Sequence, residues 1–472
     1  MNTPKMNVDV PTASTTSAPT LLRQLGVVSA TALVVSNMIG TGLFTSTGFL
    51  AGDLGSPKLI LWIWLVGAIC ALCGALCYSE LGINMPSSGG EYVYLTKAFG
   101  PTWGFMTGWV SFFAGFSAPI ASGALAFADY LAQFFPSLHQ ENSQSFFSFG
   151  PPQLIACVLV AVFSAINVFG VQRVARLQNV LTGAKILVVL AFIFMALTVG
   201  KGDWNHFSLP AARTSTHPLS AQFFVSLFWV YVAYSGWNAA TYVAEELKNP
   251  SRTLPIALTV GTILVAVLYL ALNAIFIYAV PLETMKGELA VGALAASHLF
   301  GPRVAGVFAA LMALSLMSMV NAMVTIGPRV YYAMAKNKAF LPSAAKIHPK
   351  WRTPVAAIVA QGVCTMLMTT TPFPQLVNYI GFTLNFFAVM SVASLMIFRR
   401  RPGWQKLRVV SFAYPMIPMI FLLVGIWMIV QGLQLKPVVS LAAIVTLVTG
   451  ALVYHFLLRP PETTTPPTVE TY

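Results

Sequence analysis

The chain has 472 residues, of which 57% are hydrophobic and 8% charged, against about a quarter charged in a soluble domain. That composition excludes a soluble globule and fits a polytopic helical membrane protein with room for roughly a dozen spans of about 20 residues. The net charge of +13 does not imply nucleic acid, because no basic run is interleaved with aromatics and most basic residues sit between long apolar segments.

Residues 1–25 are polar, rich in Ser, Thr and Pro, and read as a disordered tail. The first apolar stretch lacks a small-residue cleavage pattern and is expected to stay as a helix rather than leave as a signal peptide. Twelve spans are predicted, at 27–50, 58–83, 101–135, 151–170, 177–199, 221–246, 255–280, 303–335, 354–371, 375–398, 412–433 and 437–458. A second tail, 459–472, follows. With the N-terminus inside, nineteen of the 26 Lys and Arg residues fall on the inner side, six on the outer side, and Lys185 within a span. The positive-inside rule then places both termini in the cytoplasm of a cell (inner) membrane protein.

Spans 1 and 6 are interrupted in the same way, by Ile39-Gly40-Thr41-Gly42-Leu43 and by Tyr234-Ser235-Gly236-Trp237-Asn238, each near the middle of its span. An odd separation of five spans makes the two helices cross in opposite directions. An inverted repeat produces that relation, with spans 1–5 in residues 26–200 and spans 6–10 in 221–400, leaving spans 11 and 12 (411–458) outside it. Packing of small residues is the other reading of Gly40 and Gly42. Backbone unwound at that depth is tolerated beside a cavity or a ligand. The N–H groups of Thr41, Gly42 and Leu43, at the positive end of the outer half-helix, suit a carboxylate. Carbonyls near Met38, Val232, Ala233 and Ser235 suit an ammonium group. Together they would hold the part shared by all α-amino acids.

Lys185 follows Arg176 by nine residues, about 13 Å along a helix, near the middle of the bilayer. A lysine there faces the protein interior and marks a substrate or ion pathway, or serves as a structural cation. Asn238, Asn321 and Asn385, in spans 6, 8 and 10, line the pocket or bond a neighbouring helix. Cys70, Cys73 and Cys77 share a helical face without the His or carboxylate companions of a metal site, so no metal is expected. Neither a nucleophile motif nor HExxH appears, so no enzyme is indicated. Glu80 and the pair Glu245-Glu246 read as solvated interface charges, with an inner gate as the alternative. The segment Ser87-Ser88-Gly89-Gly90-Glu91-Tyr92 reads as a cytoplasmic or re-entrant connection.

Over essentially all twelve spans the residues resemble the L-type amino acid transporter branch of the amino acid, polyamine and organocation (APC) superfamily. Asn37-Met38-Ile39-Gly40-Thr41-Gly42-Leu43-Phe44 resembles its first-helix GxG signature, and Ser87 to Tyr92 its SGG[DE]Y loop. Ser235-Gly236-Trp237-Asn238 and Glu245-Glu246-Leu247-Lys248-Asn249-Pro250 are similar to its GGWN and EE-x-x-NP elements. The resemblance implies an all-α, LeuT-like fold with discontinuous helices 1 and 6. It also implies that Lys185 replaces the sodium ion of sodium-coupled relatives, tying span 5 to the break in span 1. Two departures stand out. Residues 136–150 lack the cysteine that bridges eukaryotic members to a glycoprotein subunit, so no such partner is expected and a bacterial protein is implied. Val232 stands where many members place a bulky gate aromatic.

The reading is a sodium-independent transporter of neutral L-amino acids working by alternating access and exchange, without a prosthetic cofactor. Cationic substrates are disfavoured because no carboxylate is expected near the midplane beside Lys185. A proton symporter using Lys185 is the alternative within transport. An amino-acid-binding membrane sensor is the alternative of another class, and it would need an output domain that the two tails do not offer.

Overall fold

Helices satisfy their own backbone hydrogen bonds, which long apolar runs in lipid require, and the described residues are helical almost throughout, with a single isolated bridge between Leu25 and Leu247. The computed structural model describes residues 21–132, 135, 150–288, 291–370, 373–435 and 437–458. The second tail, most of the tail 1–25, and residues 136–149 of the segment expected to lack a bridging cysteine lie outside them.

All twelve expected spans have a helical counterpart. Span 1 is Val27–Met38 followed by Thr41–Leu54, span 2 Pro57–Asn84, and span 3 runs from Pro101 through a π-helical stretch, Ser111–Ser117, to Ala132. Spans 4 and 5 are Pro151–Val168 and Val171–Thr198. Span 6 is Leu219–Tyr234 and, after a break, the 3-10 helix Ala239–Glu246. Spans 7 to 12 are Pro250–Ala279, Pro302–Lys336, Val355–Met368, Phe373–Phe398, Met416–Leu435 and Pro437–Val453. Among the described residues nine helices are long and apolar enough to cross a membrane. The two pieces of span 1 are shorter because the break divides the crossing between them. Helices outside the spans were not expected, and the longer ones among the described residues are Glu91–Phe99 after span 2 and Val291–Phe300 between spans 7 and 8.

Packing follows the repeat. Span 1 lies on spans 5 and 7 as span 6 lies on spans 10 and 2, and span 4 packs on span 3 as span 9 packs on span 8. Spans 2 and 7, the counterparts of each other, pack together, as do spans 3 and 8. Span 5 shows how the sequence divides lipid from interior: Lys185, Val189, Phe192 and Ala196 are buried along one stripe, while Leu187, Leu190, Phe194 and Leu197 are exposed along another.

The expected tail 1–25 needs correction at its end. Leu21 and Leu25 are buried, the Gln24 and Leu25 N–H groups donate to the Glu246 carbonyl at 2.9 Å, and Lys248 N–H donates to the Leu25 carbonyl at 2.9 Å. Two leucines in a polar segment supplied enough apolar surface to pin it. The contact places the start of span 1 and the end of span 6 on one face, called here the amino-terminal face.

Candidate functional site

Both breaks are real interruptions of the hydrogen-bond ladder. After Met38 the chain is extended at Ile39 and Gly40, and a new helix starts at Thr41 with no side-chain cap. After Tyr234 it turns at Ser235 and Gly236, whose φ of +106° strongly favours glycine. A side chain at Gly236 would also strike the Asn37 amide, so the two breaks touch. At Gly42 a Cβ would stand 2.6 Å from the Ala233 Cα, bringing the second half of span 1 against span 6.

Lys185 is 1% exposed and its Nζ donates to the Ile39 carbonyl at 2.6 Å and the Ser36 carbonyl at 3.3 Å. The Lys185 amino group therefore sits at the end of Val27–Met38, where the helix presents its orphan carbonyls and negative pole. From span 7, Tyr269 directs its hydroxyl at the Met38 carbonyl (2.6 Å) and the Ala233 carbonyl (3.0 Å). Hydroxyls and amides continue the polar layer: Ser36 Oγ lies 2.6 Å from both Thr182 Oγ1 and Ser318 Oγ, and Gln178 Nε2 donates to Ser318 Oγ at 3.1 Å.

A cavity of about 30 Å3 lies beside the breaks, with Asn37, Glu91, Tyr231, Ser235 and Asn238 in its wall. One water needs about 10–15 Å3, so the space admits a water or two and the site is closed around it. Asn37 Oδ1 is buried there with no hydrogen-bond partner among the described residues. Glu91 is 5% exposed and meets three donors: Tyr78 Oη (2.7 Å) and Asn238 Nδ2 (3.0 Å) on Oε1, and Tyr242 Oη (3.0 Å) on Oε2.

Two buried ion pairs close the amino-terminal face. Arg329 Nε lies 2.7 Å from Glu246 Oε1, and Arg399 holds Glu80 through Nε (2.7 Å) and Nη2 (2.6 Å). Trp404 Nε1 and Leu407 N–H complete the Glu80 carboxylate at 2.9 and 3.0 Å. Towards the opposite face, Phe49 of span 1 stacks on Trp229 of span 6 with centroids 4.4 Å apart and ring planes at 7°.

A model of amino acid permeases matches residues 25–454 of this bundle. The chain belongs to the amino acid permease family. Within it the permease falls in the L-type branch of the APC superfamily. It is 31% identical over 444 residues, 92% of this chain and 81% of the relative, to the mouse (Mus musculus) protein named large neutral amino acids transporter small subunit 2. It is 30% identical over 406 residues (85% and 89%) to the serine/threonine exchanger SteT of Bacillus subtilis (strain 168). Against the mouse b(0,+)-type amino acid transporter 1 it is 29% identical over 452 residues (93% and 88%). The permease is thus a multi-pass membrane transporter of amino acids and not an enzyme.

The structure brings several of the expected site residues together at the breaks and places others elsewhere. Gly40, Thr41, Gly42 and Leu43 stand at the first break, and Lys185 reaches its carbonyls. The Thr41 side chain lies outside the described residues. Ser235 and Asn238 line the cavity. The expected ammonium acceptors also face donors within the protein, which leaves each carbonyl a second lone pair. The Met38 and Ala233 carbonyls already accept from Tyr269, and the Val232 carbonyl accepts from Ser235 N–H at 3.1 Å.

Val232 also leaves the cavity wall. Its Cγ2 would be 3.0 Å from a Cβ on Gly381 of span 10, and Tyr231 takes the wall position. One residue is about 100° of helix rotation, enough to exchange the two faces. Asn321 joins helices, donating to Gln178 and accepting from Asn167 Nδ2 at 3.1 Å, and Asn385 donates to the Gly425 carbonyl of span 11 at 2.9 Å. Glu80 and Glu246, expected as solvated charges, are both 0% exposed and paired with arginine.

Glu91 overturns a premise, since a carboxylate does face the cavity. The sequence put it in a polar connection, and its partners come from spans 2 and 6. Asn37 and Tyr269 were also missed. Asn37 stood inside the quoted GxG signature, and a tyrosine in an apolar helix was a signal for Tyr269, because its hydroxyl needs a partner.

Proposed function

We propose that the permease exchanges neutral L-amino acids across the cell membrane by alternating access, without sodium, with both termini in the cytoplasm. The observation that carries this reading is the Lys185 ammonium on the Ile39 and Ser36 carbonyls. A fixed cation there satisfies the break and leaves no need for a sodium ion. The uncapped start of Thr41–Leu54 offers N–H groups to the substrate carboxylate. The unpartnered Asn37 Oδ1, with the Ser235 carbonyl, offers acceptors to the ammonium. Glu91 has three of about four carboxylate lone-pair sites occupied by donors. Its charge is therefore largely met within the protein, and a neutral side chain suits the remaining space.

Names carried by relatives agree with a neutral substrate and with exchange, one being a large neutral amino acids transporter subunit and another a serine/threonine exchanger. The test is uptake of labelled leucine, serine and arginine into liposomes holding the purified protein. Uptake of leucine and serine that requires internal amino acid and ignores sodium and pH gradients is expected. Uptake into empty liposomes driven by acid outside would replace exchange by proton symport. Preferred arginine uptake would overturn the neutral substrate.

A further inference from the structure

The loop between spans 10 and 11, on the amino-terminal face, is the most densely basic stretch of the chain. Residues 399–408 hold five cations, Arg399, Arg400, Arg401, Lys406 and Arg408, and no carboxylate. Arg399 is taken by Glu80. The other four are exposed, as is Lys97 of the helix Glu91–Phe99, and among the described residues none of these five pairs with a carboxylate. A charged segment of one sign repels itself and extends into water unless something holds it.

Here it is held at several points. The Asn84 side chain donates to the Gln405 carbonyl and accepts from the Gln405 N–H, each at 2.8 Å. Trp404 stacks on Phe398 with centroids 5.2 Å apart and ring planes at 6°, and the Arg401 guanidinium lies 4.6 Å from the same phenyl ring. Arg401 Nη2 donates to the Lys97 carbonyl at 3.4 Å, which brings the loop to the helix Glu91–Phe99. Arg399 Nη2 reaches Ser411 Oγ at 3.3 Å, so the short helix Arg408–Phe412 folds back against the loop. That helix turns apolar groups outward: Val409 is 56% exposed and Phe412 94%, and Met416 follows at 62%. Fixed cations beside exposed apolar side chains, at the end of two spans, match a lipid with a negative headgroup.

We propose that the 399–408 loop, with Lys97, is a binding site for an anionic phospholipid. The headgroup phosphate is held by the exposed cations, and the acyl chains lie against Val409, Phe412 and Met416. The loop is already set by its own bonds, so little ordering entropy opposes binding. The same loop supplies Arg399, Trp404 and Leu407 to the Glu80 carboxylate, so a bound lipid braces the closed amino-terminal face. With the termini placed as proposed, the site lies in the cytoplasmic leaflet, which anionic lipids make negative. The inference is independent of the substrate and of exchange.

The test is native mass spectrometry of the full-length protein in detergent, offered dioleoylphosphatidylglycerol, dioleoylphosphatidylcholine, glycerol 1-phosphate or inorganic phosphate. Retention of phosphatidylglycerol is expected, weakening as salt rises, without retention of phosphatidylcholine or of either free phosphate. One cation near an anionic lipid surface is worth about fivefold in affinity, so Arg400→Gln/Arg401→Gln/Lys406→Gln/Arg408→Gln should weaken phosphatidylglycerol by at least about a hundredfold. Should that variant not fold, Arg400→Gln/Arg408→Gln is read instead, with a loss of about 25-fold expected. The comparison is Lys336→Gln/Lys338→Gln/Lys346→Gln/Lys350→Gln, the same change of charge at exposed lysines between spans 8 and 9, which should leave the lipid bound. Equal loss from the two fourfold variants refutes the site in favour of the general charge of the face. Undiminished retention by the loop variants, or equal retention of phosphatidylcholine, also refutes it. Free phosphate or glycerol 1-phosphate bound as tightly as the lipid makes this an anion site and overturns the lipid.

Discussion

Replacing Lys185 by alanine removes the ammonium that bonds the Ile39 carbonyl at 2.6 Å and the Ser36 carbonyl at 3.3 Å. A hydrogen bond to a charged group contributes about 1.5–3 kcal/mol, with the longer contact at the low end, so the break loses about 3–4 kcal/mol of organisation. At about 1.4 kcal/mol per factor of ten, exchange should fall by about two to three orders of magnitude. Removing a buried charge also removes its desolvation cost, so the thermal midpoint should move far less than turnover does. The vacated space is bordered by the Ser36 and Ile39 carbonyls, oxygen ligands of the type a hard cation takes. Sodium should then restore part of the activity in Lys185→Ala while leaving the unmodified protein indifferent. The assay is leucine uptake into liposomes, loaded or empty, at equal or unequal pH, with sodium or choline outside. Uptake by Lys185→Ala equal to that of the unmodified protein under every condition refutes the role assigned to the ammonium.

Gly42→Val should abolish transport in a protein that still reaches the membrane folded, because its Cβ meets the Ala233 backbone at 2.6 Å; normal leucine exchange by this variant would remove the Gly42–Ala233 contact from the cycle. Amino acid methyl esters should fail to compete for transport, which competition with labelled leucine measures. Val232→Phe should depress alanine and phenylalanine uptake alike, since Val232 packs on Gly381; a selective loss of the larger substrate would return it to the pocket. Arg329→Met should destabilise the closed amino-terminal face by about 3–5 kcal/mol by stranding Glu246, and restoring stability with Arg329→Met/Glu246→Leu, read by thermal unfolding in detergent, confirms the pair.

The spans and both breaks were legible because each rests on a local signal: an apolar run long enough for the bilayer, and glycines interrupting it at mid-depth. Lys185 was legible for the same reason, as a lone cation in an apolar helix. What escaped was set by distant partners. Glu91 looks like part of a polar connection until Tyr78 from span 2 and Tyr242 from span 6 close on it. Glu80 looks solvated until Arg399, 319 positions away, covers it. Leu21 and Leu25 were lost in a polar segment whose average hid them, and Tyr231 and Val232 differ by a rotation that no pattern in an all-apolar stretch can fix.

The Tyr269 hydroxyl carries one hydrogen and faces two acceptors, one from each broken helix. It can give that hydrogen fully to the Met38 carbonyl or to the Ala233 carbonyl, never to both at once. Were the pieces of spans 1 and 6 to draw apart in the proposed alternating-access cycle, the phenol would keep one acceptor and give up the other, so the separation would cost a fraction of a hydrogen bond instead of a whole one. A shared proton of this kind works as a slip joint: it holds the two chains in register at rest and offers little resistance to the stroke.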